Sequence, residues 1–245
     1  MKKLTLLACS LFAFAAVAQA KEVAAPVTSS KEVVAEPVII EEVVVAPVVE
    51  NPWGFINLRA GWDFWSEYDD YKGDYDTLLS KKTKDFGGEL AIEAYKSWDH
   101  FDLGLGVAYQ HHMKRKTNTD SFGDSYSGAE YKSVPLYVTG RYDINYWNWA
   151  ATPYIKANLG YSFNFDSKSV KETLSTGETY SYGTKVDDGL YWAAGVGVQY
   201  EDFNVDILYG ANYAKTKVSD GPDSMKFDND YERVTLSVGY RFNIW

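Results

Sequence analysis

The sequence predicts an all-β protein: an eight-stranded antiparallel up-and-down transmembrane β-barrel with four long outer loops and short periplasmic turns. From Trp53 onward, apolar and polar residues alternate in eight segments, the period that indicates strands with one apolar face. Long and short connections also alternate between these segments, as in barrels with tight turns on one side of a membrane and long loops on the other. A soluble β-sandwich has no reason to keep that alternation.

The composition excludes several other classes of protein. The chain has 245 residues, of which 46% are hydrophobic and 16% aromatic, with one Cys and a net charge of −10. A mean hydropathy of −0.33, and no long apolar run after the N-terminal segment, exclude a helical membrane protein. A single cysteine excludes an intramolecular disulfide scaffold and a cysteine-cluster metal site. The acidic balance argues against a nucleic-acid partner, which would select a basic face.

Residues 1–20 are predicted to be a cleaved signal peptide. Lys2 and Lys3 precede an apolar stretch from Leu4 to Ala18, and residues 18–20 (Ala-Gln-Ala) supply a small-x-small cleavage site. The apolar stretch is about 15 residues long, which is short for a retained anchor helix. The one cysteine, Cys9, lies within it.

Residues 21–52 form a Val/Pro/Glu-rich segment in which similar units (KEVAAPV, KEVVAEPV and EEVVVAPV) recur. Pro26, Pro37 and Pro47 forbid a continuous helix and interrupt any central strand. We interpret the segment as a disordered periplasmic stalk. The alternative is that Val-rich pieces such as 43–45 dock on a partner strand or on the mouth of the following domain.

The eight alternating segments define a barrel domain over residues 53–245. In the first segment Leu58 and Trp62 share one face with other apolar residues, and Arg59 and Asp63 share the opposite face. The predicted strands span 53–64, 85–95, 101–112, 131–143, 151–165, 189–200, 203–214 and 232–244. The predicted outer loops are the long connections 65–84, 114–130, 166–188 and 216–230. An even number of strands returns both ends of the domain to the periplasm.

Aromatic residues gather at both ends of the predicted strands, which indicates girdles at two lipid–water interfaces. The candidates at the short-turn ends are Trp53, Trp98, Trp147, Trp149, Phe242 and Trp245. The candidates near the long-loop ends are Trp62 and Trp192. The alternative, a soluble eight-stranded calyx, needs the opposite sense, with apolar residues inside and polar residues outside.

Residues 53–245 resemble the small eight-stranded outer-membrane barrels typified by the OmpA transmembrane domain and OmpX. The chain end Gly239-Tyr240-Arg241-Phe242-Asn243-Ile244 is similar to the C-terminal signal of that family, although Trp245 lies one residue beyond the outward frame kept by Phe242 and Ile244. The resemblance implies an outer-membrane location. It also implies three partners: membrane lipid, lipopolysaccharide and the barrel-assembly machinery, which would bind the last strand.

An eight-stranded barrel is just wide enough for side chains to fill its interior. The inward positions carry charges of both signs, and buried charges persist only when they are paired and hydrogen-bonded. We therefore predict an ion-pair network that plugs the lumen, with Arg59 and Glu89 as partners on adjacent strands. Its predicted members are Arg59, Glu89, Glu93, Asp102, Arg141, Lys156, Asp206, Arg233 and Arg241. The functional alternative is a small gated pore for ions or small solutes.

Residues at the outer end of the third strand suggest a lipid-modifying enzyme as a further alternative. His111 and His112 precede a loop that contains Asp120, Ser121 and Ser125. A His near a Ser is common in a Ser-rich loop, and alternation turns only His112 inward. We therefore predict that the protein is not an enzyme and needs no cofactor or metal.

The outer loops are the remaining candidates for function. Lys114, Arg115 and Lys116 form a basic stretch that we expect to contact the phosphates of anionic lipid. Segments 66–76 and 219–232 are acidic and Tyr-rich, but they lack the ligand spacing of a calcium loop and are interpreted as solvated. Tyr-rich loops suit adhesion to host or cell-surface ligands, because Tyr gives large contact area at low entropy cost. The predicted function is a non-enzymatic envelope protein that supports envelope integrity and surface binding.

Overall fold

The computed structural model describes residues 53–72, 77–144, 149–220 and 223–244. The predicted signal peptide (1–20), the Val/Pro/Glu-rich segment (21–52) and two girdle candidates, Trp147 and Trp245, lie outside the described residues. No helix in the described ranges is long and apolar enough to span a membrane.

The described ranges contain eighteen strands. In chain order they are β1 Gly54–Tyr68, β2 Tyr71–Lys72, β3 Thr77–Leu79, β4 Thr83–Lys84, β5 Gly88–Ser97, β6 Phe101–His111, β7 Lys114–Arg115, β8 Asn118–Thr119, β9 Ser125–Ser127, β10 Lys132–Asp143, β11 Thr152–Phe165, β12 Val170–Thr173, β13 Thr179–Val186, β14 Gly189–Tyr200, β15 Phe203–Asn212, β16 Lys215–Asp220, β17 Asp223–Asp228 and β18 Tyr231–Ile244.

Eight of these strands close into an antiparallel barrel in the order β1-β18-β15-β14-β11-β10-β6-β5. The pairing of β5 with β1 closes the ring, so the barrel formed by these eight described strands has no open edge. Each barrel strand overlaps one of the eight predicted segments. The predicted fold class is therefore confirmed.

Alternation sorts the side chains of the barrel into a polar inside and an apolar outside, because successive residues of a strand point to opposite faces. In β1, Asn57, Arg59 and Asp63 are buried, while Leu58 and Trp62 are 43% and 53% exposed. Other strands expose a matching set outside the barrel, among them Leu90, Leu105, Leu136, Leu159, Val196 and Val238. A continuous apolar surface of this kind is what the hydrocarbon of a membrane covers.

A β-bulge carries β1 beyond its predicted end. The pairing of β1 with β18 shifts between Asp63 and Trp65, so that Phe64 and Trp65 are both 40% exposed. Beyond the bulge, Ser66 and Tyr68 are buried. The prediction ended this strand at Phe64 because the inserted residue breaks the period of two.

The four long outer loops contain much regular structure, which the sequence did not predict. They hold ten of the eighteen strands, and six of these form a second sheet, the outer sheet, in the order β17-β16-β13-β12-β9-β8. One buried cluster beneath this sheet is made of Leu79, Ala129, Val170 and Phe227. A second is made of Tyr68, Tyr131, Val186, Ala214 and Tyr231. The sequence does not reveal this packing, because the apolar residues of the outer connections alternate with charged residues that stay exposed.

Candidate functional site

The middle of the barrel lumen holds the carboxylate of Glu93, which is fully buried. Lys156 Nζ donates to both carboxylate oxygens, at 2.7 and 2.9 Å. Arg59 Nη2 donates to the same carboxylate across 3.4 Å. The hydroxyls of Tyr137 and Tyr95 donate at 2.9 and 3.0 Å. Two cations, two hydroxyls and the amide of Asn57, whose Nδ2 donates across 3.3 Å, thus replace the water that the carboxylate loses on burial.

Glu89, two inward positions closer to the outer end of β5, binds two arginines. Arg59 Nη1 lies 2.7 Å from Glu89 Oε1, and Arg233 Nη2 lies 2.6 Å from Glu89 Oε2. Arg59 therefore bridges Glu89 and Glu93. Asp63 extends the chain of charges, since its Oδ1 lies 3.9 Å from Arg233 Nε.

Asp206 approaches the network from β15. Its Oδ2 lies 3.9 Å from both Arg59 Nε and Lys156 Nζ. The hydroxyl of Tyr154 donates to its other oxygen. The cations and carboxylates joined in this way, which we call the lumen network, are Arg59, Lys156, Arg233, Asp63, Glu89, Glu93 and Asp206.

The remaining predicted members lie nearer the short-turn end. Arg141 Nε is 2.6 Å from Asp143 and 3.6 Å from Asp102, so it forms a separate group. The Arg241 guanidinium lies 4.0 Å from the centre of the Phe55 ring and donates to Asn243. The carboxylates that act on it electrostatically are Asp102, Asp143 and Asp202, so Arg241 belongs with the Arg141 group near the short-turn end.

Sequence reasoning missed the part that lumen tyrosines play. Alternation along β10 and β11 places Tyr137 and Tyr154 inside the barrel, but it does not show that their hydroxyls donate to Glu93 and Asp206. Tyr95 was missed as a donor as well. The signal available in the sequence was that a tyrosine at an inward position carries a hydroxyl donor at the far end of its side chain, where it can reach a carboxylate across the lumen.

The described girdle candidates lie on the outside of the barrel. Trp53, Trp62, Trp98, Trp149 and Phe242 are exposed, and Trp192 packs edge-on against Tyr209 with ring centres 5.5 Å apart. Nine residues separate Trp53 from Trp62, which is about 30 Å along a strand and about 23 Å along the axis at a tilt of about 40°. That spacing fits an apolar band about 25 Å tall.

The three predicted lipid-contact residues separate in the structure. Lys114 and Lys116 are exposed, and Lys114 Nζ lies 3.3 Å from Asp85. Arg115 points the opposite way and is buried, because neighbouring residues of β7 face opposite sides. The prediction that Arg115 contacts lipid phosphate is therefore wrong.

Arg115 instead joins three outer segments. Its Nη1 donates to the backbone oxygens of Asp69 at 2.7 Å and Ser80 at 2.8 Å. Its Nη2 donates to the side chain of Asn229, and its guanidinium lies 4.3 Å from the centre of the Tyr68 ring. Burial lowers the pKa of Arg115 to about 10, so the group stays charged at neutral pH.

Comparison with known proteins gives one relative by sequence. No model of a known protein family matches the chain. The uncharacterized protein PM1543 of Pasteurella multocida (strain Pm70) is 27% identical over 191 residues, which cover 69% of this chain and 80% of that protein.

Solved structures give the fold. The outer membrane protein OprG from Pseudomonas aeruginosa is similar with a TM-score of 0.51 and 19% identity, over 78% of this chain and 97% of that one. The outer membrane protein W of E. coli has a TM-score of 0.38 and 18% identity, over 78% of this chain and 99% of that one. The likeness to OprG agrees with a closed barrel that is polar inside and apolar outside. This is the fold of the small eight-stranded outer-membrane β-barrels. The resemblance and the outer-membrane location predicted from the sequence are confirmed.

In this outer-membrane barrel, His112 packs among aromatic rings rather than beside a serine. Its ring stacks on Tyr231 with centres 4.0 Å apart and meets Tyr131 edge-on at 4.7 Å. Neither ring nitrogen has a hydrogen-bond partner among the described residues. The hydroxyl of Ser125 lies 2.9 Å from that of Thr119. The described residues therefore do not assemble a His–Ser–acid group around His112.

Two carboxylates lie close together where the outer connections meet the barrel. The backbone N–H of Asp230 donates to Asp69 Oδ2 across 3.4 Å, and the backbone N–H of Ala214 donates to Asp230 Oδ1 at 2.8 Å. Burial, with the nearby carboxylates Asp69 and Asp228 adding to it, raises the pKa of Asp230 to about 6. No group of three or more acidic, His or Cys side chains within the described ranges is placed to hold a metal ion.

The raised pKa of Asp230 predicts that the outer segments lose stability as pH rises. The folded state binds the proton more tightly than the unfolded state, so the stabilisation is complete below the ordinary pKa of 3.8 and is lost as pH rises through about 6. Hydrogen exchange at the Ala214 amide, corrected for intrinsic rates, is expected to show more protection at pH 5 than at pH 7.5. Asp230→Asn should remove the difference.

The control for this prediction is Asp99→Asn, since the side chain of Asp99 is 90% exposed and the residue lies at the short-turn end of the barrel. That variant should keep the pH dependence of the wild type. Protection at Ala214 that increases with pH would contradict the prediction.

Proposed function

We propose that this protein is a non-enzymatic outer-membrane barrel that supports envelope integrity and binds host or cell-surface ligands through its outer sheet. The observation that carries the proposal is a set of large side chains exposed beyond the lipid-facing band. Phe122, between β8 and β9, is 74% exposed, and Met225 and Tyr180 on the outer sheet are also exposed. Large apolar and aromatic side chains exposed outside the membrane are candidate contact residues for a partner.

The lumen network supports a structural role over the alternative of a gated pore. Opening a path would require Glu93 to separate from Lys156 and Arg59, and each buried charge would then lose its partner. That separation costs several kcal/mol per unpaired ion. A barrel whose lumen is filled by paired charges supports the proposed role in envelope integrity.

The proposed lipid partners have candidate contacts on the outside of the barrel. Membrane lipid covers the apolar band, and Lys114 and Lys116 are exposed where lipopolysaccharide phosphates would lie. The barrel-assembly machinery is the proposed partner of β18, whose Phe242 faces outward. We propose no cofactor and no nucleic-acid partner.

Replacing the most exposed of these side chains tests the surface-binding function. Phe122→Ser is expected to lower the adhesion of cells that carry the protein to a cultured epithelial monolayer by about tenfold. The reason is that truncating one aromatic residue at the centre of an interface commonly weakens binding by about that factor. Adherent cells are counted for wild type, the variant and cells without the protein.

Lys171→Ser is the matched control, since Lys171 is an exposed polar residue on the same sheet. It should adhere like wild type. Purified wild type in planar lipid bilayers should give no single-channel conductance. Equal adhesion of all four cell types would refute surface binding, and stable conductance would favour the pore instead.

A further inference from the structure

Strands of the outer sheet, together with β2 and β3, line a half-open cavity of about 400 Å³, which we call the outer cup. Its walls come from β9, β12, β13, β16 and β17 of the outer sheet, with β2 and β3 across from them. The volume lies in the range of small-molecule sites. The cup opens outside the lipid-facing band, in the same sheet that carries Phe122.

Alternation along the short strands aims aromatic rings into the outer cup. Tyr126 of β9 lies directly opposite Glu172 of β12, and Tyr182 of β13 lies opposite Val170. Tyr71 and Phe227 complete the wall, with their ring centres 4.7 Å apart. Four aromatic rings therefore line one cavity.

Glu172 is the one charged side chain among the described residues that line the outer cup. The hydroxyls of Tyr126 and Tyr182 donate to its two oxygens at 3.0 and 2.7 Å. The nearest lysine in sequence, Lys171, points to the other face of β12 and is exposed. The carboxylate is thus held in place by neutral donors, and its negative charge is not balanced within the cup.

An unbalanced carboxylate among aromatic rings fits a cationic ligand, because ring faces attract cations and the carboxylate adds a full charge. A primary ammonium would need three hydrogen-bond acceptors. Besides the two Glu172 oxygens, each of which already accepts one tyrosine proton, and the hydroxyls of Ser224 and of the tyrosines, the described lining consists of rings, alkyl groups and the thioether of Met225. A quaternary ammonium needs no acceptors and fits this lining better.

We propose that the outer cup binds a trimethylammonium group, the cationic head of choline and its esters. This inference rests on the proposed surface-binding function and names the chemistry of one ligand. Glu172 supplies the charge, and the rings of Tyr71, Tyr126, Tyr182 and Phe227 supply the cation–π contacts.

The test uses choline as the probe and the methyl group of Met225 as the reporter. The chain contains three methionines, and Met113 is buried away from the cup, so its methyl serves as the internal reference. In methyl NMR of the full protein in choline-free micelles, choline should shift the Met225 signal saturably and leave Met113 unchanged. Glu172→Gln, which keeps the shape of the side chain and removes its charge, should weaken binding at least about tenfold.

Two controls keep the test decisive. Glu178→Gln removes a carboxylate that also meets a tyrosine, Tyr180, but lies outside the cup, and it should bind choline like wild type. The neutral isostere 3,3-dimethylbutan-1-ol should bind much more weakly than choline. Equal binding of the isostere, or no saturable shift up to about 50 mM choline, would overturn the proposal. If choline fails while adhesion still depends on Phe122, the ligand assignment falls and the surface-binding function stands.

Discussion

Replacing Glu93 with alanine is expected to lower the free energy of unfolding by about 3–5 kcal/mol. Glu93 is the meeting point of the lumen network: it accepts from Lys156, Arg59 and two tyrosine hydroxyls, and its side chain has no exposure to water. Removing it leaves Lys156 as a buried cation whose remaining carboxylate, Asp206, is 3.9 Å away. Equilibrium urea unfolding of the protein in lipid vesicles, followed by tryptophan fluorescence, measures the loss.

A double variant distinguishes the effect of leaving Lys156 unpaired from the effect of losing the Glu93 side chain. Glu93→Leu combined with Lys156→Met removes both charges, and it should recover most of the loss because a buried pair can be replaced by apolar groups at little cost. Glu67→Ala is the exposed control, since Glu67 pairs with Lys81 at 3.5 Å near the surface and should cost less than about 1 kcal/mol. A double variant no more stable than Glu93→Ala would show that the charge of Lys156 is not the cause.

The sequence predicted the barrel well because the direction of a side chain in a strand follows from its position alone. Counting by twos places Arg59, Glu93 and Lys156 inside and Leu58 outside, as the structure shows. Counting does not give the stagger between strands, and the stagger decides which charges meet. Arg59 lies opposite Ala91, and it reaches Glu89 and Glu93 as the inward residues on either side.

The outer sheet was not predicted, because its strands are short and their partners are distant in sequence. β13 has eight residues and β16 has six, and they pair across the whole of β14 and β15. A short strand gives too few alternations to stand out from a polar loop. The bulge at Phe64 adds to the difficulty, because it reverses the alternation at the point where the barrel leaves the membrane.

Arg115→Ala is expected to loosen the outer segments while the barrel stays folded. Arg115 donates to the backbone oxygens of Asp69 and Ser80, which belong to the connection between β1 and β5, and to Asn229 in the connection between β15 and β18. Without the guanidinium these acceptors are left buried and unpaired, at a cost of about 3 kcal/mol for the group as a whole. In limited proteolysis of vesicle-inserted protein, cleavage within the outer segments should be about 100-fold faster, because it follows the population of the locally open state.

The neighbouring residue supplies the control for Arg115. Lys116→Ala removes an exposed cation of the same stretch and should be cleaved at the wild-type rate. Arg115→Lys should behave more like alanine than like wild type, because a single ammonium cannot reproduce the planar fork that reaches several acceptors at once. If Arg115 instead contacted lipid phosphate, its loss would weaken lipopolysaccharide binding and leave proteolysis unchanged. Since the guanidinium is enclosed by Tyr68 and two backbone carbonyls, the opposite pattern is expected.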